Sequence, residues 1–159
     1  MAMGYTAAHM SHEELKGQLK EAMKAKDAVR LAVVRGLLSA ATNEAVAKGK
    51  GPDAMLDSDE LMTVIMRAAK QRKDSIEQFE KGGRPELADS EKAELTIIED
   101  MLPAQMSREE IEAAVKAKAA ELGVADKAGA NKLMGVLMKD LKGKADGTIV
   151  KEVVDSLFQ

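Results

Sequence analysis

The chain has 159 residues, of which 45% are hydrophobic, 2% aromatic and 32% charged, and its formal net charge is −3. It contains no cysteine, which excludes disulfides, thiolate metal sites and cysteine nucleophiles. No apolar run approaches the roughly 20 residues that cross a bilayer, and no secretory signal is apparent, so we expect a cytoplasmic protein without membrane contact. Abundant Ala, Leu, Lys, Glu and Met, with only three prolines, predict an all-helical fold.

The first ten residues, MAMGYTAAHM, show no helical pattern, and we interpret residues 1–10 as a tag remnant or a disordered start. Ser11 is placed to cap a first helix, and Asp27 is placed to cap a second. Apolar residues cover more than half of the circumference of the second helix, which predicts a central position in its bundle. His9 and His12 lie near the chain start, where we expect solvated side chains rather than ligands.

A break rich in glycine, with one proline, precedes a third helix, which begins near Asp57 with Glu60 completing a capping box. A Gly-Gly pair ends this helix. Pro85 then opens a fourth helix at a first-turn position, where proline is tolerated. Pro103 ends the fourth helix, so residues 11–103 are predicted to form a four-helix N-terminal domain.

Three further helices are predicted in residues 104–159. Ser107 and Glu110 form another capping box, Asn131 is placed to cap the sixth helix, and Asp146 is placed to cap the seventh. No segment alternates with the period of a strand. The sequence therefore predicts an all-α, two-part helical bundle, with about four N-terminal helices and a three-helix C-terminal domain.

The sixth predicted helix has a glycine in its interior, where glycine costs about 1 kcal/mol relative to alanine. Gly135 lies with Lys132, Lys139 and Lys142 at helical spacing, on the side opposite the leucines. Residues 127–151 contain six lysines and two aspartates, a local charge of +4. A missing side chain between cationic groups favours close approach of a phosphate backbone. The alternative is a solvated face on which the glycine permits a close helix crossing.

A second cationic run consists of Arg67, Lys70, Arg72 and Lys73, with no acid among them and a local charge of +4. Phosphate affinity follows local patches of this kind rather than the net charge of a chain. We therefore predict a second phosphate contact here. Because aromatic residues are nearly absent, we expect recognition of backbone and shape rather than stacked single-stranded bases.

Several segments resemble the GatB/YqeY family. The sequence LMGVLMKDLKGKADGTIVKEVVDSL at 133–157 resembles the tail of that family, with its Met-Gly pair, Met-Lys pair and Lys-Gly-Lys-Ala-Asp turn. Three further segments resemble the free-standing YqeY-like members: LKEAMKAKDAVRLAVVRGLLSA at 19–40, AAKQRKDSIEQFEKGGRPELADSEKAEL at 68–95, and LPAQMSREEI at 102–111.

The resemblance implies that residues 104–159 correspond to the tail domain of the tRNA-dependent amidotransferase B subunit, a helical appendage that helps to hold tRNA. The leading hypothesis is therefore a tRNA- or RNA-binding accessory protein that contacts the phosphate backbone. The candidate binding residues are Lys132, Gly135, Lys139, Lys142, Lys144, Arg67, Lys70, Arg72 and Lys73.

Two other functions are consistent with the resemblance. The first is a protein–protein docking module for an amidotransferase or aminoacyl-tRNA synthetase, with Met-rich apolar faces as the contact. The second is the carbon–nitrogen ligase activity, with glutamine as amido-N-donor, that is associated with the family. We expect no stand-alone catalysis, cofactor or metal site. The sequence lacks a cysteine nucleophile, a Ser-Ser-Lys amidase centre and a GxxxxGK[ST] phosphate loop.

Overall fold

The computed structural model describes residues 10–158, so the expectations for residues 1–9, including His9, lie outside the described residues. Within 10–158 the chain forms seven α-helices and no β-strand, which confirms the all-helical prediction. No helix in this range is long and apolar enough to cross a membrane. The elements are α1 (His12–Ala25), α2 (Ala28–Ala47), α3 (Ser58–Lys81), α4 (Pro85–Glu99), α5 (Arg108–Leu122), a 3₁₀ turn (Lys127–Gly129), α6 (Ala130–Asp140) and α7 (Gly147–Leu157).

Side-chain caps begin five of these helices at the residues that the sequence indicates. Ser11, Asp57 and Ser107 each form a complete capping box with a glutamate three residues later. Asp27 and Asp146 each accept a hydrogen bond from a backbone N–H in the first turn of the following helix. Each cap stabilises its helix by about 1 kcal/mol, so the helix starts are largely encoded locally.

The start of α6 differs from the prediction that Asn131 caps it. The helix begins at Ala130, and the N-cap position is Gly129, which makes no side-chain hydrogen bond. Asp126 instead accepts a hydrogen bond from the N–H of Gly129 at 3.3 Å and caps the 3₁₀ turn. Because this turn runs directly into α6, it orders the start of the helix without a separate side-chain cap.

The chain divides between Pro103 and Ala104 into two compact units. Unit 1 contains α1–α4. Its core is built from Leu, Ile, Val, Ala and Met side chains, and Leu15, Leu61 and Ile65 are almost completely inaccessible to solvent. With no cysteine and few aromatics, burial of aliphatic surface, at about 25 cal/mol per Å², is the main stabilising term.

Unit 2 contains α5, the 3₁₀ turn, α6 and α7. Its core is separate from that of unit 1 and includes Ile111, Val115, Leu133, Leu137 and Val150, each at most 1% exposed. Each of the three helices contributes one apolar face to this core. The opposite face of each helix carries the polar residues.

The helix α2 packs against each of the other three helices of unit 1, as its wide apolar circumference predicts, but its outer face is exposed. Val29 and Val46 are 45% and 53% exposed, and Gly36 also lies at the surface. The helix packs on α1, α3 and α4, and Val34 and Leu37 occupy the buried side. Since these neighbours cover only part of the circumference, the remaining side of α2, which includes Arg35 and Gly36, faces outward.

His12 is buried, whereas the sequence suggested a solvated side chain. It is only 6% exposed, and its Nδ1 accepts a hydrogen bond from the backbone N–H of Leu56 at 3.1 Å. Burial, together with the nearby charge of Lys16, lowers the pKa of His12, and Glu13 opposes this shift. The neutral imidazole therefore joins the start of α1 to the segment that precedes α3.

Candidate nucleic-acid interface

The helix α6 holds the predicted glycine and two of the predicted lysines on one exposed face. Leu133 and Leu137 are 0% and 1% exposed and fix the rotation of the helix about its axis. Lys132, Gly135 and Lys139 consequently lie on the outer side, and all three are exposed. The two lysines are separated along the helix axis by about 10 Å, at 1.5 Å of rise per residue.

Gly135 faces open space. A Cβ atom built at this position meets no heavy atom within 4 Å outside its chain neighbours and its own helix backbone. Within the described residues of unit 2 no helix therefore crosses at this glycine, and the alternative of a close helix crossing is wrong for this unit. The helix accepts the cost of glycine, about 1 kcal/mol, without any gain in packing.

Lys142 and Lys144 do not lie on α6. The helix ends at Asp140, and both lysines belong to the turn that leads to α7. Gly143 stands between them with φ of 79°, a left-handed conformation that favours glycine, and it is buried. The prediction that Lys142 continues the helical row is wrong because the chain turns first. Both side chains are nevertheless exposed.

The two aspartates of this segment are engaged away from the lysines. Asp140 Oδ2 lies 3.1 Å from the Nζ atom of Lys118 on α5. Hydrogen bonds to Glu121 and to Asp140 raise the pKa of Lys118. Asp146 accepts a hydrogen bond at the start of α7. The two carboxylates of residues 127–151 therefore pair α6 with α5 and cap α7.

Lys132, Lys139, Lys142 and Lys144, together with Gly135, define the lysine face of unit 2. Across the described part of the chain, no carboxylate lies within salt-bridge distance of these four ammonium groups. Unpaired ammonium groups within one short segment attract phosphate, because each contact releases counterions from the polyanion.

The second cationic run does not form a comparable surface. Arg67 Nη1 lies 3.1 Å from Glu44 Oε2, and Lys73 Nζ lies 3.7 Å from Glu99 Oε1. Lys70 is exposed, and no carboxylate of the described residues lies within salt-bridge distance of it. Three of the four predicted cations in this run, including the arginine described next, are thus paired with carboxylates of unit 1.

Arg72 joins α3 to α4. Its Nη2 atom lies 2.8 Å from Glu94 Oε2, and its Nε atom lies 3.5 Å from Glu91 Oε2. The guanidinium is partly buried, and both carboxylates are more buried still. Arg72 therefore serves as a link between two helices, which explains why a cation interrupts the apolar stripe of α3.

A groove of about 230 Å³ lies between α5 and α7. Val115 and Val153 line it, and Arg108 at its edge lies 3.5 Å from the carboxylate of Glu112. No group of three histidine, aspartate or glutamate side chains suited to a metal ion occurs within 10–158.

The sequence from residue 12 to residue 158 matches the family model described as "Yqey-like protein". The chain belongs to the YqeY-like family. The match includes both units, and thus the lysine face as well as the α3–α4 pair.

Curated relatives of this YqeY-like protein are yeast proteins named "Altered inheritance of mitochondria protein 41, mitochondrial". The relative from Lachancea thermotolerans is 43% identical over 89 residues, which cover 55% of this chain and 46% of the relative. The relative from Kluyveromyces lactis is 40% identical over 103 residues, covering 64% of this chain and 54% of the relative. A Saccharomyces cerevisiae relative is 33% identical over 133 residues, which cover 83% of this chain and 68% of the relative. The chain spans about half the length of the first two relatives.

These names correct one expectation from the sequence. We expected a cytoplasmic protein because no secretory signal was apparent. The relatives are named as mitochondrial proteins, so the cytoplasmic assignment is wrong.

Proposed function

We propose that this YqeY-like protein is an RNA-binding accessory protein that contacts structured RNA through the lysine face of unit 2. The observation that supports the proposal is a group of four exposed lysines without carboxylate partners, two of them on the face of α6 that carries the open Gly135 and two in the turn that follows the helix. The resemblance to the amidotransferase tail makes tRNA the first candidate. Counterion release from phosphates supplies most of the affinity in such an interface.

Recognition in this proposal is of the RNA backbone and its shape. The aromatic side chains of the described residues are few, and Phe158 packs against the core of unit 2. Phe79 is half-buried on α3. Stacking of single-stranded bases requires exposed aromatic platforms, so a folded RNA with ordered phosphates is the better ligand.

The proposed interface omits the second cationic run. Arg67, Arg72 and Lys73 already contact carboxylates of unit 1, and a phosphate would have to displace those carboxylates to bind. Lys70 alone offers a single charge, which contributes little to binding at physiological salt.

Binding of total tRNA at several salt concentrations tests the proposal. Four phosphate contacts predict that log K falls against log salt with a slope of about −3, and charge reversal at Lys139 and Lys142 should flatten it by about 2. Lys20→Glu is the matched control, because Lys20 is exposed on α1 and no carboxylate of residues 10–158 lies within salt-bridge distance. Salt-independent binding, or an unchanged slope in the Lys139→Glu, Lys142→Glu variant, contradicts the proposal.

A second candidate function is docking to an amidotransferase or aminoacyl-tRNA synthetase. The exposed side of α2 favours it, since Val29 and Val46 are large apolar side chains at the surface. Capture of the purified enzyme that persists at high salt, and that Val46→Lys abolishes, supports docking. Capture that Lys139→Glu and Lys142→Glu abolish instead supports an RNA-mediated contact.

Stand-alone carbon–nitrogen ligase chemistry is not part of this proposal. The family association with glutamine as amido-N-donor describes larger enzymes, and a glutaminase needs an activated nucleophile. Ammonia release from glutamine by the purified chain, at a rate proportional to its concentration, would require this function to be reconsidered.

A further inference from the structure

Two family motifs, one of which carries Lys142 and Lys144, are in contact within unit 2. Gln105, from the segment that opens the unit, donates a hydrogen bond through Nε2 to the backbone carbonyl of Gly143 at 2.8 Å. The next backbone N–H, that of Met106, donates to the carbonyl of Lys144 at 2.7 Å. The LPAQMS junction and the Lys-Gly-Lys-Ala-Asp turn are therefore joined at two consecutive carbonyl groups.

Local backbone hydrogen bonds also close the turn. The N–H groups of Lys144 and Ala145 both donate to the carbonyl of Leu141, at 3.0 and 3.1 Å, and these bonds close the turn locally. The carbonyls of Gly143 and Lys144 lie beyond the end of α6, outside any helical hydrogen-bond ladder, so their partners must come from elsewhere in the fold. The junction supplies their partners, and it does so beside a buried glycine in a left-handed conformation.

We propose that Gln105 is a positioning residue for RNA binding, an inference that rests on the proposed function. Its amide fixes the backbone of Gly143, and Lys142 and Lys144 project from the residues on either side. A backbone ordered before binding reduces the conformational entropy that is lost when the two lysines engage phosphate. Only a donor serves at position 105, because the partner is a carbonyl oxygen.

Substitution of Gln105 by methionine, which has similar size and no N–H donor, tests the inference. We expect total tRNA to bind about three- to tenfold more weakly, the cost of ordering one or two side chains at binding. Gln78→Met on α3 is the matched control, since Gln78 is an exposed glutamine of unit 1. The Gln78→Met variant should bind total tRNA with the affinity of the wild type.

A double-mutant cycle separates positioning from general destabilisation. In a chain that already carries Lys142→Ala and Lys144→Ala, Gln105→Met should cause no further loss of affinity, because Gln105 acts only through these two lysines. An equal fold-loss in both backgrounds overturns the inference, since a loss of folded unit 2 weakens binding in either one.

Hydrogen exchange gives a readout that does not depend on RNA. The amide of Met106 should exchange faster in Gln105→Met, while that of Leu137 in the middle of α6 should be unchanged. If Gln105→Met loses its helical circular dichroism, we use Gln105→Glu in the same cycle. Glutamate has the length of glutamine, but its ionised carboxylate cannot donate a hydrogen bond. Unchanged exchange at Met106 overturns the positioning role.

The two proposals fail in different ways. A wild-type chain without salt-dependent tRNA binding overturns both the proposed function and the role of Gln105. A wild-type chain that binds tRNA, together with a Gln105→Met variant of equal affinity, overturns the positioning role alone.

Discussion

At the residue scale, Gly135 is a position where folding stability and RNA binding should respond in opposite directions. An added methyl group meets no atom within 4 Å beyond its own helix, so Gly135→Ala should raise the free energy of unfolding by up to about 1 kcal/mol. The same methyl group separates the helix backbone from a phosphate, so affinity for tRNA should fall. Urea unfolding and filter binding measure the two effects.

Gly17→Ala provides the control for this pair of effects. Gly17 also lies within a helix, is exposed and has no atom within 4 Å of a built Cβ, but it belongs to α1. The Gly17→Ala variant should gain stability to a similar extent as Gly135→Ala, and it should bind tRNA as tightly as the wild type. Equal affinities of the Gly135→Ala and wild-type chains would show that RNA does not approach this side of α6.

Individual residues also show where sequence patterns stop being informative. The charge counted around Arg67 and Arg72 was correct, but the carboxylates that pair with them come from α2 and α4. His12 likewise acquires its partner from residue 56, far along the chain. A local pattern does not contain such partners, because they are brought together only by tertiary packing.

At the scale of the elements, His12 makes the attachment of α1 dependent on pH. Its pKa lies below the ordinary value of 6.5 in the folded chain, so below that pH the unfolded chain binds more protons. The contribution of neutral His12 to the free energy of unfolding is complete above pH 6.5. It is lost as the pH falls through the pKa of the folded chain, by at most about 1.4 kcal/mol per pH unit. Urea unfolding between pH 7.5 and 5 measures this loss.

The variant His12→Gln isolates this contribution, because glutamine keeps an acceptor for the N–H of Leu56 and does not titrate. The free energy of unfolding of this variant should depend less on pH between pH 7.5 and 5 than that of the wild type. Glu60 acts in a separate range, since hydrogen bonds from Lys50, from Asp57 and from Lys48 lower its pKa from 4.5 to about 2. If the free energies of unfolding of His12→Gln and the wild type change in parallel between pH 7.5 and 5, the pH dependence does not come from His12.

Helix boundaries were predictable where a cap lies within three residues of the helix that it begins. Ser11, Asp57 and Ser107 are of this kind. The end of α6 was not predictable, because hydrogen bonds from Gln105 and Met106 stabilise the turn that follows it. A contact between segments so far apart in sequence leaves no periodic signal.

At the scale of the whole molecule, the chain is acidic and yet presents a cationic surface. The net charge is −3, but the side chains of Asp140 and Asp146 are engaged in an ion pair and a helix cap. The sequence predicted the lysines of this surface and the open glycine. It also predicted that Asp146 caps α7, but it could not predict the ion pair of Asp140, which depends on the placement of α5 beside α6.

The most direct test of the lysine face is the reactivity of each lysine toward an acetylating reagent, measured by mass spectrometry with and without total tRNA. Binding at this face should protect Lys132, Lys139, Lys142 and Lys144, while Lys20 of unit 1 stays as reactive as in the free chain. Protection confined to lysines of unit 1, or equal reactivity at all positions under conditions in which tRNA is bound, would contradict it.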